Sequence, residues 1–377
     1  MIYLDNSATT QPCPACVRAM TEALTDCWGN PSSVYALGID AAHRLRQARQ
    51  AVAAALGAEP DRVFFSSGGT EADNWAILSA AERLGKRGRH IITTAVEHHA
   101  VLHPMQKLET KGFEVTYLQP DHDGTITVEE LKKALRPDTI LVSVMMVNNE
   151  TGAVMPIADM VKAVRRASPL ALFHTDAVQG FLKVPCAPAG WGVDLMSLSA
   201  HKIGGPKGIG ALYVRPDLRN LRPLLAGGGQ EEGLRSGTEA TAQIAGFAKA
   251  VALRQEGLEE KLAHMARIKT YCRERLLSIP GVVPVGGGEA PHILAVSLVG
   301  YPSANVINDL GSQGICLSAG SACHRGKASR GYAALGLDKR TAAGVLRLSF
   351  GPETTQGDID ALYEALLRHK NTRFSML

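Results

Sequence analysis

The sequence contains neither a run of about 18 apolar residues, which a membrane-spanning helix requires, nor a block of like charge. Its 40 basic and 36 acidic residues are interspersed, so direct binding to nucleic acid or to a membrane is not indicated. The first residues, MIYLDNSATT, show no basic stretch followed by an apolar core, so a secretory signal is not predicted. We therefore expect a cytoplasmic protein.

Cysteine is also scarce, because the chain has only seven, an odd number scattered along its length. This pattern argues against a disulfide framework, and the thiols are predicted to be reduced. Most are expected to be small buried residues, including Cys316, which lies on an apolar run. Cys13 and Cys16 form a CxxC pair, but no thioredoxin-like βαβ pattern follows, so a redox role is not predicted for them.

The length of 377 residues suggests about two domains. From 63 to 214, short apolar runs, often β-branched, alternate with helical patterns, which predicts a mainly parallel sheet covered by helices. The last two runs, at 193–199 and 209–214, have no helix between them, which predicts an antiparallel edge strand. After a glycine-rich stretch at 224–240, a helical segment extends to about 278. Further strands and helices then indicate a smaller α/β domain.

The stretch SLSAHKIGGPKG (197–208) places Lys202 directly after a buried-looking strand. Catalytic groups of an α/β sheet tend to project from this end of a strand. A surface charge is one interpretation of Lys202. The other is a lysine that forms an imine with an aldehyde cofactor, which requires an acid to pair with a ring nitrogen and a site for a phosphate.

Both requirements have candidates in the sequence. Asp176 ends the run LALFHTD, where its carboxylate could meet a ring nitrogen, although it could instead cap a short helix over AVQG. In SSGGTEADN (66–74) a glycine turn leads into a helix predicted to start near Thr70, whose N-terminal N–H groups could bind phosphate. The GxxxxGK[ST] spacing of a P-loop is absent, so a nucleoside triphosphate is not implied.

Taken together, these motifs resemble those of the cysteine desulfurases, class V members of the fold-type-I pyridoxal-phosphate enzymes. The resemblance extends from YLDNSATT to LRLSFG (346–351), with GGTE, VEHHAVL, VNNETG, HTDAVQ, SLSAHKIGGPKGIGALYV and RSGTEA in the expected order. It implies an α/β fold with a seven-stranded, mainly parallel sheet. It also implies a large cofactor-binding domain at 15–255 and a small α/β domain formed by 1–14 and 256–377.

The resemblance assigns roles to particular residues. Lys202 would bind pyridoxal phosphate covalently and then carry protons, and His98 would stack on the cofactor ring. Asp176 would pair with the ring nitrogen, and Gln179 with the ring hydroxyl. The remaining residues are expected to bind phosphate (Gly69, Thr70, Ser199, His201 and, from a second subunit of a homodimer, Thr238) or the substrate carboxylate (Asn149 and Arg347).

Cys323 lies in LSAGSACHRGKAS (317–329), among small residues and next to basic ones that favour a thiolate. On its own it could be an ordinary loop cysteine. The resemblance implies that this loop, at about 317–330 in the small domain, carries the cysteine that accepts sulfur from L-cysteine as a persulfide, with release of L-alanine. The sulfur would then pass to an acceptor protein, either an iron–sulfur scaffold or a thiolation enzyme.

Several alternatives remain open at this point. His99 and His103 have the spacing of metal ligands on a helix, but no glutamate base lies between them and no metal site is predicted. A cysteine or selenocysteine C–S lyase would use Lys202 without requiring Cys323. A transaminase would move nitrogen and release no sulfide, and a non-enzymatic sulfur-relay module would bind no cofactor.

Overall fold

The computed structural model describes residues 1–218, 221–320, 330–373 and 375. The strands are β1 (Ile2–Tyr3), β2 (Val63–Ser66), β3 (His90–Thr94), β4 (Glu114–Leu118), β5 (Thr139–Ser143), β6 (Leu172–Asp176), β7 (Leu195–Ser199), β8 (Gly210–Val214), β9 (Val282–Pro284), β10 (Ile293–Leu298), β11 (Ile315–Cys316) and β12 (Val345–Ser349). The helices are α1 (Pro14–Thr25), α2 (Ala36–Ala55), α3 (Gly69–Leu84), α4 (His99–Glu109), α5 (Val128–Ala134), α6 (Ile157–Ala167), α7 (Pro188–Trp191), α8 (Thr241–Gln255), α9 (Leu258–Leu277), α10 (Ser303–Ser312), α11 (Arg330–Ala334), α12 (Lys339–Ala343) and α13 (Gln356–Thr372).

The main sheet has seven strands in the order β2-β8-β7-β6-β5-β3-β4. The pairs from β7 to β4 are parallel, and β8 is antiparallel to both of its neighbours. Every residue of β3, β5, β6, β7 and β8 is buried, as expected when helices cover both faces of a parallel sheet. The predicted fold class is therefore confirmed.

The position of the antiparallel strand differs from the prediction. β8 does run against β7, but it is not at the edge, because β2 pairs with its other side. The local pattern around 193–214 fixes the direction of β8 through its short connection to β7. It contains no information about which distant strand covers the remaining edge.

A second region contains an antiparallel sheet with the order β12-β10-β9 and a parallel pair of β1 with β11. Its hydrophobic core combines Leu4 with residues drawn from 268–366, on α9, α10 and α13 among other elements. An isolated bridge joins Asp5 to Ser349, and the Ser349 N–H donates to Leu4 O at 2.7 Å. The two ends of the described chain therefore meet beside the main sheet.

The predicted helical segment from 241 to about 278 consists of two helices, α8 and α9. Gly257 separates them with a φ of 59°, a left-handed conformation that interrupts a helix. No helix among the described residues combines the length and apolar character needed to cross a lipid bilayer.

The prediction that all cysteines are reduced is wrong for one pair. Cys13 and Cys16 form a disulfide at the start of α1. The sequence spacing alone could not show this, because the pairing depends on the helical turn that brings the two side chains together. Cys316 is only partly buried, rather than a core residue, while Cys27 and Cys272 are buried free thiols.

Candidate active site

A cavity of about 240 Å³ lies at the carboxyl ends of the parallel strands of the main sheet. This is where ligands usually bind in open α/β sheets, because the connections there diverge. The N-terminal segment and β12 also contribute to it. The lining residues are Ser7, Ala8, Gly69, Thr70, Asp73, His98, Met145, Val147, Asn149, Asp176, Val178, Gln179, Ser199, His201, Lys202 and Arg347.

The cavity brings together every predicted site residue except Thr238 and Cys323. Thr238 is exposed and lies outside the cavity wall of its own chain. Cys323 falls within 321–329, outside the described residues. The structure thus assembles ten predicted positions from distant parts of the chain in one place.

Lys202 lies on a short 3₁₀ turn directly after β7, which directs the side chain into the cavity. Its Nζ donates hydrogen bonds to the carbonyl oxygens of Ser7 at 2.6 Å and Ala8 at 2.7 Å. The side chain is partly buried, so the interpretation as a free surface charge is wrong. The N-terminal segment therefore holds the amine at the cavity wall.

Asp176 is the last residue of β6 and is buried. Its Oδ1 accepts the N–H of Val178 at 2.9 Å, which forms a local turn rather than the predicted alternative of a helix cap, because no helix follows. Burial, and then the nearby charge of Asp73, raise the pKa of Asp176 to about 7. A cation placed against this carboxylate would favour its ionised form.

Beneath Asp176 lies a buried polar group that the sequence analysis missed. Burial raises the pKa of Asp73, on α3, to about 7. Its Oδ1 lies 3.5 Å from Nε2 of His174, and burial lowers the pKa of His174 to about 4. The hydroxyl groups of Ser143 and Ser197 form hydrogen bonds with Nδ1 and Nε2 of His174, at 2.8 and 3.0 Å respectively. Asp73 lies within the motif SSGGTEADN, but only its burial distinguishes it there.

The turn between β2 and α3 contains residues that were predicted to bind phosphate, and it borders the cavity. Gly68 has a φ of 150°, which favours glycine, and it precedes the first residue of α3, Gly69. A Cβ on Gly69 would lie 2.6 Å from Cγ2 of Val178, so a side chain there would require a shift. The first N–H groups of α3 have no partners within the helix, and they lie beside Thr70 and Ser199 in the cavity wall.

His98 precedes α4 and caps it. Its Nδ1 accepts the N–H of Ala100 at 3.1 Å. Burial, followed by the charge of Lys202, lowers the pKa of His98 to about 4, so the ring is neutral near pH 7. Because Nδ1 is an acceptor, the ring hydrogen is on Nε2. His99 and His103 follow on α4 with ring centroids 5.0 Å apart, and no group of three or more potential ligands was found in the described part of the chain.

Arg347, on β12, brings a buried guanidinium to the cavity. Its Nη1 donates to the carbonyl oxygen of Asn149 at 2.8 Å, and its Nη2 to Oδ1 of Asp5 at 2.9 Å. Its Nε is buried and has no hydrogen-bond partner among the described residues. Asp5 was not assigned a role from the sequence, although it lies in the motif YLDNSATT.

Gln179 connects the cavity to a buried lysine. Its Nε2 donates to the Ser7 carbonyl at 2.8 Å, and its Oε1 accepts from Nζ of Lys183 at 2.9 Å. Burial, with repulsion from Lys202, lowers the pKa of Lys183 well below its usual value. Lys183 was also missed from the sequence, where nothing separates it from a surface lysine.

Comparison with known proteins shows which family this chain is similar to. The model of the family described as aminotransferase class-V matches residues 2–362. A cysteine desulfurase IscS from Clostridium botulinum is 41% identical over 372 residues, which cover 97% of this chain and 93% of that protein. A solved NifS-like protein has a TM-score of 0.94 at 36% identity and covers 99% of this chain and 100% of its own. SspA in complex with cysteine has a TM-score of 0.81 at 33% identity, with coverages of 94% and 100%.

The chain therefore belongs to the class-V aminotransferase family, whose members use pyridoxal phosphate. Within that family its relatives are the IscS and NifS-like cysteine desulfurases. The resemblance predicted from the sequence motifs is confirmed.

Proposed function

We propose that the protein is a pyridoxal-phosphate-dependent cysteine desulfurase, which transfers sulfur from L-cysteine to Cys323 and releases L-alanine. The observation that carries this proposal is the arrangement of Lys202, buried Asp176 and the N-terminus of α3 around one cavity. The similarity of this chain to a cysteine desulfurase IscS, and to SspA in complex with cysteine, supports L-cysteine as the substrate.

The residues present fit the cofactor. Asp176 is a buried carboxylate without a cationic hydrogen-bond partner among the described residues, and a protonated ring nitrogen would supply one. Gly69 lies in the cavity wall beside Thr70, and the absence of a side chain lets the start of α3 pack against Val178, whose Cγ2 would lie 2.6 Å from a Cβ there. When bound, the cofactor supplies an electron sink for the substrate carbon atoms. The residues that would hold it are Lys202, Asp176, Gln179, His98, Gly69, Thr70, Ser199 and His201.

Lys202 and His98, which both line the cavity, are the groups that would move protons there. The amine of Lys202 is held by the carbonyls of Ser7 and Ala8, within reach of the same space. His98 is neutral near pH 7 and has its hydrogen on Nε2, so it can donate a hydrogen bond while remaining uncharged.

Arg347 and Asn149 would orient the substrate through its carboxylate. The guanidinium of Arg347 lies in the cavity wall and is held by the Asn149 carbonyl through Nη1 and by Asp5 through Nη2, a planar group suited to a carboxylate. Its ion pair with Asp5 neutralises the buried charge while the carboxylate is absent. Substrate binding therefore exchanges one carboxylate partner for another or adds a second.

The proposed sulfur transfer requires no added oxidant, because the electrons of the broken bond stay with the carbon fragment. The Cys323 thiolate attacks the substrate sulfur, the Cβ–S bond breaks, and its electron pair remains with the carbon fragment that becomes alanine after protonation. The new S–S bond leaves a persulfide on Cys323. We propose a homodimer in the cytoplasm, with Thr238 of the second subunit completing the phosphate site and an acceptor protein taking the sulfur.

The test is sulfide and alanine release from L-cysteine with a reductant, by wild type and Cys323→Ala preparations of equal pyridoxal-phosphate content. We expect wild type to form both products in equal amounts, and the variant to keep its cofactor while forming almost none. Equal activity of the two proteins would contradict a role for Cys323 and favour a C–S lyase. Cys27→Ser provides the control, because it removes a buried thiol hydrogen-bonded to Asp40.

A further inference from the structure

The N-terminal segment, residues 7–13, lies across the 201–204 turn that carries the lysine of the site. The N–H and the Oγ1 of Thr10 both donate to the carbonyl of His201, at 2.9 and 2.8 Å. Gly204 N–H donates to Thr10 Oγ1 at 2.7 Å, and Cys13 N–H donates to the Gly204 carbonyl at 3.0 Å. The N-terminal segment is therefore attached to the turn along its length.

The segment ends in the Cys13–Cys16 disulfide. Cys13 is the N-cap of α1, Pro14 occupies the first helical position, and the N–H of Cys16 donates to Cys13 Sγ at 3.2 Å. The two sulfurs differ in access, because Cys13 is partly exposed and Cys16 is completely buried. An external thiol can therefore approach only the Cys13 side of the bond.

The surroundings of Cys13 suit thiol–disulfide exchange. The N-terminus of a helix stabilises a thiolate through its N–H groups and its dipole. Cys13 also lines a second cavity, of about 730 Å³, whose wall includes Lys202 and Gly204. The cysteine pair and the lysine of the site thus share one space as well as one segment of backbone.

We propose that Cys13 and Cys16 are a reversible thiol–disulfide site, reduced by a dithiol, which controls how firmly the N-terminal segment holds Lys202. One thiolate of the reductant attacks Cys13 Sγ and the Cys16 thiolate leaves. The second thiolate then attacks the mixed disulfide and releases Cys13. The reductant is oxidised to a disulfide, and its two electrons and two protons end on Cys13 and Cys16.

The control of Lys202 rests on its proposed role as the cofactor-binding residue. Its Nζ donates to the carbonyls of Ser7 and Ala8, and these bonds must break before the nitrogen can attack an aldehyde. The disulfide fixes the far end of the segment to α1, so its reduction loosens the segment. Reduction should therefore speed covalent capture of pyridoxal phosphate by Lys202.

The redox part of the proposal is tested in the full chain by equilibration with mixtures of reduced and oxidised dithiothreitol, acid quenching, alkylation and peptide mass analysis. As the fraction of oxidised dithiothreitol rises, we expect Cys13 and Cys16 to become protected from alkylation together, because they form the disulfide. Cys272 should be alkylated in every mixture once the protein is unfolded. Alkylation of both residues in every mixture would overturn the proposal, as would protection that no dithiol reverses.

The coupling is tested by the rate at which cofactor-free protein acquires the absorbance of covalently bound pyridoxal phosphate. We expect the reduced protein, and Cys13→Ser with Cys16→Ser, to react about fivefold faster than the oxidised protein, the factor that corresponds to one neutral hydrogen bond. Cys27→Ser should respond to the dithiol as wild type does. Equal rates for oxidised and reduced protein would overturn the coupling, whereas absence of the absorbance in every form would contradict the role of Lys202 instead.

Discussion

At the residue scale, the buried carboxylates below the cavity determine how the cofactor-free protein responds to pH. The pKa of Asp73 is about 7 in the folded chain, against 3.8 for an ordinary aspartate, because burial disfavours its charge. Between these two values the folded state binds more protons than the unfolded state. The contribution of Asp73 to stability is therefore present at low pH and is lost as the pH rises towards 7.

The substitution Asp73→Asn should remove this pH-dependent contribution to the free energy of unfolding. The free energy of unfolding of wild type is expected to fall relative to that of the variant as the pH rises from about 5 to about 7, with a limiting slope of about 1.4 kcal/mol per pH unit for one proton. Urea unfolding of the cofactor-free proteins measures the difference. Comparison with the variant is necessary because His98, His174 and His201, whose pKa values are lowered to about 4, give the opposite slope below pH 6.5.

The exposed Asp159 provides a matched control. Its ion pair with Lys162 lowers the pKa of its carboxyl, so it stays ionised in both states across this pH range. The difference between wild type and Asp159→Asn should therefore be constant with pH. A constant difference for Asp73→Asn as well would show that Asp73 is ionised in the folded protein.

At the scale of the element, the start of α3 borders the cavity but has no space for a side chain at Gly69. A Cβ at Gly69 would meet Cγ2 of Val178 at 2.6 Å, and this clash would push the first turn of the helix away from Asp176. We expect Gly69→Ala to lower stability by about 1–3 kcal/mol, as overpacking does. It should also weaken pyridoxal-phosphate binding about tenfold, equivalent to about 1.4 kcal/mol.

Thermal unfolding and cofactor titration measure both effects. Adding Val178→Ala to Gly69→Ala should restore much of the loss, because it removes the methyl group involved. Gly311→Ala on α10 is the control, since a Cβ there meets nothing within 4 Å and alanine favours a helix. Normal cofactor affinity in Gly69→Ala would argue against a phosphate site at this turn.

The sequence predicts these local features well and the long-range ones poorly. Lys202 and Gly69 lie within compact motifs at the ends of strands, where spacing and residue type are informative. The carbonyls of Ser7 and Ala8, by contrast, reach Lys202 across almost 200 positions. Their contact with Lys202 depends on the path of the backbone. Because every residue has a backbone carbonyl, such a contact cannot be recognised from residue types.

The same limit explains the errors in the prediction. The partner of β8 on its free side is β2, which lies almost 150 positions earlier in the chain. The Cys13–Cys16 bond depends on the turn of α1, whereas the prediction of reduced thiols relied on the odd number of cysteines and their scatter along the chain. Lys183 is buried because of the elements packed around it. Nothing in the local sequence distinguishes it from a lysine on the surface.

At the scale of the whole molecule, we propose that the chain divides into a large domain at 15–255 and a small domain formed by 1–14 and 256–377. Support comes from the separate hydrophobic core that Leu4 shares with residues after 268. The connection between α8 and α9 is exposed at 255–257. Limited proteolysis with a glutamate-specific protease should cut after Glu256 and leave two associated fragments, and a first cut within the main sheet would contradict this division.

The proposed homodimer can be tested by mixing two variants. If Thr238 completes the site of the other subunit, Lys202→Ala and Thr238→Val should complement each other after exchange of subunits. The mixed dimer then holds one site with both Lys202 and Thr238 intact. Alanine formation should exceed that of either variant alone, with unmixed variants at the same total concentration as controls. No gain, despite subunit exchange shown by a tagged chain, would place Thr238 outside the partner's site.

The meeting of the two chain ends has a consequence for how the protein is made. Arg347 and Ser349 belong to β12, yet they bind Asp5 and Leu4, which are synthesised long before them. The main sheet can form while synthesis continues, because its strands end at Val214. Arg347, the residue proposed to bind the substrate carboxylate, is synthesised only long after the strands of the main sheet. A nascent chain that stops short of β12 would therefore carry Lys202 and the proposed phosphate site without the arginine that is proposed to bind the substrate carboxylate.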